Sequence, residues 1–324
     1  MEAGRRGRLG AIAMILITGA SGILGASLVA LAQEQGREVA GLYHRHAVHL
    51  PGATMLAADL TEESEVEKIF DEVRPESVIH CAAATDVDWC EENPEEAHSI
   101  NVAASARIAG RASRTGARLL YVSTDSVFDG IRGRYAESDR PMPLNVYART
   151  KLEGEQVVLD RNSSAAIARV TLYGWRAQNK PSLAEWILGE LAAGGQVPGF
   201  SDVIFCPILA NDLAEVLLAM VDGSLRGLYH VAGSEPVSKY EFARRVALTF
   251  GYDPARVVDA RIAGRKVKAV RPRDTSLITE KICAALGRAM PDVDSGLRKF
   301  ARLKADGYVD RLRGHQAGVQ DQCR

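Results

Sequence analysis

The chain has 324 residues, of which 47% are hydrophobic and 25% charged, with a formal net charge of -1. It is long enough for one large domain with a sizeable core, or for two smaller lobes. The balanced charge gives no global field that would draw a nucleic acid or an anionic membrane, and the longest apolar stretch, Ala11 to Thr18, is far too short to span a bilayer.

Residues 1–13 read as a loose extension. Arg5, Arg6 and Arg8 precede an apolar run that enters a glycine loop with no small-residue cleavage site, which argues against a signal peptide, so Met14 is a candidate start of the folded part. Met14–Thr18 then has the character of a short buried parallel strand. Ile23–Gln35 reads as a helix stopped by Gly36, Glu38–His44 as a second strand and Thr54–Ala57 as a third. A helix is expected from about Glu62 to Val73, a strand over Ser77–Cys81, a long helix over Pro94–Arg114 and a strand over Arg118–Ser123. The segment Gly130–Pro143 is rich in Gly, Pro and charge and reads as a surface loop. A helix starts near Asn145, and Ala165–Val170 looks like a sixth strand. This alternation predicts an α/β fold, a doubly wound parallel sheet covered on both faces, with a smaller C-terminal substrate lobe.

The second half is less regular. Ser182–Ala193 and Ser238–Phe250 read as helices, and Asn211–Val221 as another with Asn211 or Asp212 as its cap. Gly227–Val231 could return to the main sheet. The expected division is therefore a dinucleotide-binding domain over 14–172, rejoined by 208–232, a substrate lobe over most of 173–310, and a frayed tail from about Arg311.

Gly19, Gly22 and Gly25 form Gly-x-x-Gly-x-x-Gly between the first strand and helix. Glycines let the backbone approach a pyrophosphate, and the helix N-terminus supplies positive potential. Ser21, Ile23 and Leu24 belong to the same contact. A dinucleotide that carries no 2′-phosphate is usually met by an acid at the end of the second strand. Here that strand ends in His44, Arg45 and His46, which favours NADP, and NADPH over NADH, with Arg45 receiving the phosphate. With His49, these histidines also invite a metal reading, but no carboxylate or thiol partner lies nearby in sequence, so no metal is expected. Asp59 and Leu60 follow the third strand where such folds contact the adenine; Asp59 reads equally well as a helix cap.

Tyr147 and Lys151 lie four residues apart, one helical turn, so phenol and ammonium share a face. Thr124 precedes them at the end of a strand. Tyr147 is a candidate general acid for a carbonyl oxygen receiving hydride, Lys151 is expected to lower the phenol pKa and reach the nicotinamide ribose, and Thr124 to orient the substrate oxygen. Asp86 and Asp88 suit either a substrate hydroxyl or a loop turn. Arg271 and Arg273 suit either a nucleotide diphosphate or a solvated loop. Glu91, Glu92, Glu95 and Glu96 surround a helix start, where acids cap and solvate. The five cysteines, Cys81, Cys90, Cys206, Cys283 and Cys323, are odd in number and show no metal-ligand spacing, which fits reduced thiols in a cytoplasmic protein.

These residues together resemble the extended short-chain dehydrogenase/reductase family, and within it the dTDP-4-dehydrorhamnose reductases. The likeness covers nearly the whole chain. It includes TGASGILG, HCAAATDVDWCEENPEEA followed by Asn101, VSTDSVFDG, Tyr135 with Glu137 and Asp139, PLNVYARTKLEGE, GLYHVAG with Tyr240–Ala243, and RPRDTSLITEK near Arg271. The resemblance implies a catalytic set of Thr124, Tyr147 and Lys151. It places Ala82, Ala83, Ala84 and Asn101 beside the nicotinamide cofactor, and Thr85, Val87, Thr124, Asp125, Ser126, Leu172 and Arg271 around a nucleotide-sugar substrate. Three positions depart from the family pattern: Ser126 stands where tyrosine is usual, Leu172 where a tryptophan often follows the sixth strand, and Ala148 where a glycine usually follows the tyrosine. The implied function is NADPH-dependent reduction of the 4-keto group of a nucleotide-linked deoxysugar. The alternative is a non-catalytic NADP-binding regulatory subunit similar to the beta subunit of methionine adenosyltransferase, and the third reading is a nucleotide-sugar epimerase or dehydratase. A homodimer is left open.

Overall fold

The computed structural model describes residues 14–178, 180–262 and 268–314. The expected N-terminal extension, residues 1–13, and the end of the expected tail, with Cys323, lie outside them. The chain alternates β1 (Ile15–Thr18), α1 (Ile23–Glu34), β2 (Val39–Tyr43), β3 (Thr54–Ala57), α2 (Glu63–Val73), β4 (Ser77–His80), α3 (Val87–Glu92), α4 (Pro94–His98), α5 (Ala104–Thr115), β5 (Arg118–Thr124), α6 (Val146–Arg161) and β6 (Ala166–Val170). Short strands follow, β7 (Leu172–Tyr173), β8 (Val197–Phe200), β9 (Ile204–Phe205) and β10 (Ile208–Leu209), interrupted by α7 (Leu183–Ala192). The chain then rejoins the sheet through α8 (Ala210–Asp222) and β11 (Gly227–Val231).

Seven strands form one parallel sheet in the order β11-β6-β5-β4-β1-β2-β3. β1 sits between β2 and β4, with Ile15 opposite Val39 on one side and Ser77 on the other. Every residue of β1 and β4 is buried, because helices cover both faces of a parallel sheet. One face packs against α1 and α8, with Leu24, Leu28, Leu213 and Leu217 in its core; the other packs against α2 and α5 through Ile69, Phe70, Ile108 and Ala112. Strand order reverses between β1 and β4. The crevice at the carboxyl ends of those strands is the expected ligand position in such a sheet.

The chain ends with β12 (Val237–Ser238), α9 (Lys239–Thr249), β13 (Val257–Ala260), α10 (Glu280–Leu286), α11 (Val293–Ala305) and α12 (Tyr308–Leu312). β12 pairs antiparallel with β9, and β13 parallel with β8. An aromatic cluster joins this lobe to the sheet layer: Phe300 stacks on Trp175 at 4.0 Å between centroids, and Tyr173 meets the edges of Phe242 and Phe300.

Three expectations need correction. The helix expected over Pro94–Arg114 is interrupted by a π-helical turn at Ser99–Ala103, a feature that often marks a functional site. α8 begins at Ala210 with Leu209 at the cap position and no side-chain cap; Asp212 instead pairs with Lys299 at 2.6 Å. The ordered chain also continues past Arg311, since Leu312 is buried. Among the described residues, no helix is long and apolar enough to cross a membrane.

Candidate active site

The glycine loop owes its course to sterics. Gly19 has φ +67°, and a Cβ there would lie 2.8 Å from the Ala82 amide nitrogen, so only glycine lets the loop after β1 pass against the loop after β4. A Cβ on Gly25 would lie 2.2 Å from the Gly19 carbonyl oxygen. α1 begins at the cap residue Gly22, with no side-chain cap and no acid in its first turn. Its leading amides therefore stay available to an anion, reinforced by the positive end of the helix dipole.

Beside the glycines, the Thr18 hydroxyl accepts from the amides of Cys81 and Ala82, both at 3.1 Å. Its proton then goes to His80 Nδ1 at 2.7 Å, which leaves Nε2 as the donor to Ser105 at 3.0 Å, and Ser105 donates to the Asn101 carbonyl at 2.8 Å. Burial, aided by the Lys151 charge, holds the His80 pKa down at about 3, so the ring is neutral. Asn101 lies in the π turn. Its side chain accepts from the Ala84 amide at 2.8 Å and donates to the Ala84 carbonyl and the Thr150 hydroxyl. Asn101 is fully buried and acts on the loop rather than on the crevice surface.

β5 ends in Thr124, with Asp125 in the turn that follows, and α6 delivers Tyr147 and Lys151. Asn145 caps α6 through the Ala148 amide at 2.9 Å. Asp125 is buried and accepts from Thr124, Ser126 and, at 2.5 Å, Thr275; burial raises its pKa. Lys151 donates to the Val122 carbonyl at 2.8 Å and lies 4.1 Å from the Tyr121 ring centroid. Burial lowers its pKa to about 7, against the pull of Glu155. Burial pushes Tyr147 up to about 12, and a hydrogen bond with Thr124 opposes the rise. Beneath this pair, Glu155 forms a buried two-pronged ion pair with Arg169 at 2.9 and 2.7 Å and accepts from Ser123 at 2.5 Å. That network fixes the spacing of β5, β6 and α6.

The crevice is a cleft of about 810 Å³. It brings together the glycine loop, His44, Arg45, Asp59, Leu60, the Ala82–Thr85 loop, Thr124–Ser126, Tyr147, Lys151 and Leu172. Asp59 serves as a local turn, accepting from the Thr61 amide and hydroxyl, and lies 3.4 Å from His44. Hydrogen bonding to Thr61 lowers its pKa. Three expected site residues do not line the cleft: Asn101, Val87 and Arg271. Val87 opens α3. Arg271 pairs with Asp88 at 3.0 Å.

Sequence reasoning missed Trp89, Arg176 and Gln178, which also line the cleft. Gln178 donates to the Ser21 carbonyl at 3.1 Å. The Arg176 Nε is buried without a partner among the described residues. The segment after β7 thus folds back over the glycine loop, a long-range contact that carries no local motif.

The sequence of residues 13–304 matches the RmlD substrate binding domain family. The chain belongs to that family, which lies within the extended short-chain dehydrogenase/reductases. It is 34% identical over 294 residues to the "Probable low-salt glycan biosynthesis reductase Agl14" of Haloferax volcanii, covering 90% of this chain and 98% of the relative. It is also 33% identical over 273 residues to "Methionine adenosyltransferase 2 subunit beta" of Bos taurus, covering 81% of this chain and 79% of the relative. Among solved structures, the dTDP-4-dehydrorhamnose reductase of Bacillus anthracis in complex with NADP superposes with a TM-score of 0.79 at 28% identity, covering 90% of this chain and 99% of that one. Family and site geometry agree on a sugar-nucleotide reductase of the NAD(P)-dependent oxidoreductases.

Proposed function

We propose that this protein reduces the 4-keto group of a nucleotide-linked 6-deoxysugar with NADPH. The observation that carries this reading is the convergence of Thr124, Tyr147 and Lys151 on the cleft that also holds the glycine loop. The fit to a dinucleotide rests on the missing Cβ atoms at Gly19 and Gly25 and the uncapped first turn of α1. Bound NADPH would supply the hydride. Tyr147 holds the proton for the carbonyl oxygen, and Thr124 shares a hydrogen bond with it and orients the same oxygen. Lys151, held against Val122 and Tyr121, presents an ammonium one helical turn from the phenol. His44 and Arg45, just after β2, would hold a 2′-phosphate, and the Arg176 guanidinium would offer its charge to the diphosphate. Asn101 and Thr18 position the Ala82–Ala84 loop.

The test is NADPH oxidation followed at 340 nm with dTDP-4-keto-6-deoxy sugars, with NADH as the control. Turnover with a preference for NADPH supports the reading. The likeness to the methionine adenosyltransferase beta subunit supports a second one, in which the chain binds NADP and serves a partner enzyme. Tight NADPH binding without oxidation by any such sugar, together with co-purification of a partner, would favour it.

A further inference from the structure

We infer that Trp89 is the platform on which the apolar face of the reacting sugar rests, an inference that depends on the nucleotide-sugar reading above. Trp89 is 37% exposed, and of the large hydrophobic side chains exposed among the described residues it is the one that lines the cleft. It faces the reaction cleft together with Thr85, Ser126, Tyr147 and Leu172. Among the described residues the indole has no hydrogen-bond, ring or cation partner; the Trp89 backbone bonds to Asp86 and Asn93.

α3 is nevertheless firmly placed. Asp86 caps it, Asp88 is gripped by Arg271 and by the Ala269 amide, and Lys180 reaches Asp86 at 3.1 Å. The next residue, Cys90, is fully buried in a cluster with Val146 that packs against Ala84 and Tyr147. The Trp89 backbone is therefore pinned one residue from the wall that carries the phenol. Leu172, also in the lining, offers aliphatic surface only. A pyranose presents C–H groups on one face, and an aromatic ring receives that face while hydroxyls stay free for polar contacts. A carbonyl poised at Tyr147 puts the sugar ring, rather than the base, nearest this indole.

The experiment compares wild type, Trp89→Leu and Trp89→Phe with dTDP-4-keto-6-deoxyglucose as substrate and dTDP as the sugar-free probe, the latter by calorimetry with NADP present. Leucine keeps apolar bulk and removes the ring, and a side chain outside the core is replaced with little risk to folding. The expected result for Trp89→Leu is a KM raised by about tenfold, the scale of one aromatic contact. With it go a kcat within about twofold, which marks loss of uniform binding, and unchanged dTDP affinity; Trp89→Phe should restore most of the KM. An equal loss of dTDP affinity would assign the indole to the base and overturn the inference, as would an unchanged KM. A wild-type protein that neither turns over the sugar nor binds dTDP would remove the nucleotide-sugar reading itself, and this inference with it. The two failures are thus told apart before any variant is made.

Discussion

Two side chains in the cleft titrate far from their ordinary range, and each has a consequence that can be measured. Tyr147 is held protonated by burial, with a pKa near 12. That suits a proton donor to a reduced carbonyl, whose oxygen becomes strongly basic as hydride arrives. Tyr147→Phe removes the proton and keeps the ring, so turnover should fall at least about 100-fold while NADPH affinity measured by fluorescence titration stays the same. A near-normal rate would remove the phenol from this role. Lys151 carries the opposite perturbation, from 10.5 down to about 7. Between those values the unfolded chain binds more protons at this site than the folded one, so this group makes stability rise with pH across that window. Below about pH 7 the full cost of burying the charge is present. The buried thiols of Cys90 and Cys206, raised to about 11, act in the other direction above pH 9, so the informative quantity is a difference. Urea denaturation of wild type and Lys151→Met should show Lys151→Met gaining relative stability as pH falls from about 10 to 7. A difference independent of pH would refute the depressed lysine.

At the scale of elements, the glycine loop separates two effects that the motif alone merges. A Cβ on Gly25 meets the backbone oxygen of Gly19 at 2.2 Å, whereas one on Gly22 meets it at 3.2 Å with no positive φ. Gly25→Ala must therefore push α1 away from the loop, a backbone shift costing about 1–3 kcal/mol. It should lower both the midpoint of thermal unfolding and NADPH affinity. Gly22→Ala asks for a shift of only a few tenths of an ångström and should cost less stability, and equal effects of the two substitutions would contradict the packing argument. The elements legible in the sequence are those set by local pattern: β1 from its apolar run into glycine, α6 from its Asn145 cap, β11 from GLYHV. What was not legible depends on distant partners. In the π turn at Ser99–Ala103 the Asn101 amide spans Ala84 and Thr150, and nothing in its own spacing announces that. α11 was missed although Val293, Leu297 and Phe300 follow helical spacing, because its boundary signals lie in a charged, irregular stretch. The likeness to a known family named Thr124, Tyr147 and Lys151 as one catalytic set, and the fold brings the three to one cleft; it also named Arg271, which the fold pairs with Asp88.

For the molecule as a whole, the division into two lobes conceals a single core. The apolar cluster on one side of the sheet runs without a break from Ile15, Ile17 and Leu28 through Leu213 and Tyr173 to Phe242, Leu297 and Phe300. Two elements of the expected first domain, α8 and β11, follow much of the second in sequence, so neither lobe can fold from a continuous segment. Trp175 ties the layers directly: it stacks on Phe300, its indole donates to the Phe300 carbonyl at 3.0 Å, and the next residue is Arg176 in the cleft. Unfolding of the wild type should therefore be one cooperative transition despite its length. Phe300→Ala should shift that transition as a whole, at a cost of about 3–5 kcal/mol for a large core aromatic. Calorimetry, with far-UV circular dichroism and tryptophan fluorescence on the same samples, checks this. Coincident curves that move together in Phe300→Ala support the shared core. Two separated transitions, with only the lower one moved by the substitution, would show that the C-terminal lobe melts independently. Because Trp175 anchors the segment that carries Arg176 and Gln178, the same variant should also bind NADPH more weakly at temperatures where it remains folded. A loss of stability with unchanged NADPH affinity would mean that this segment takes its position from Gln178 and the glycine loop alone.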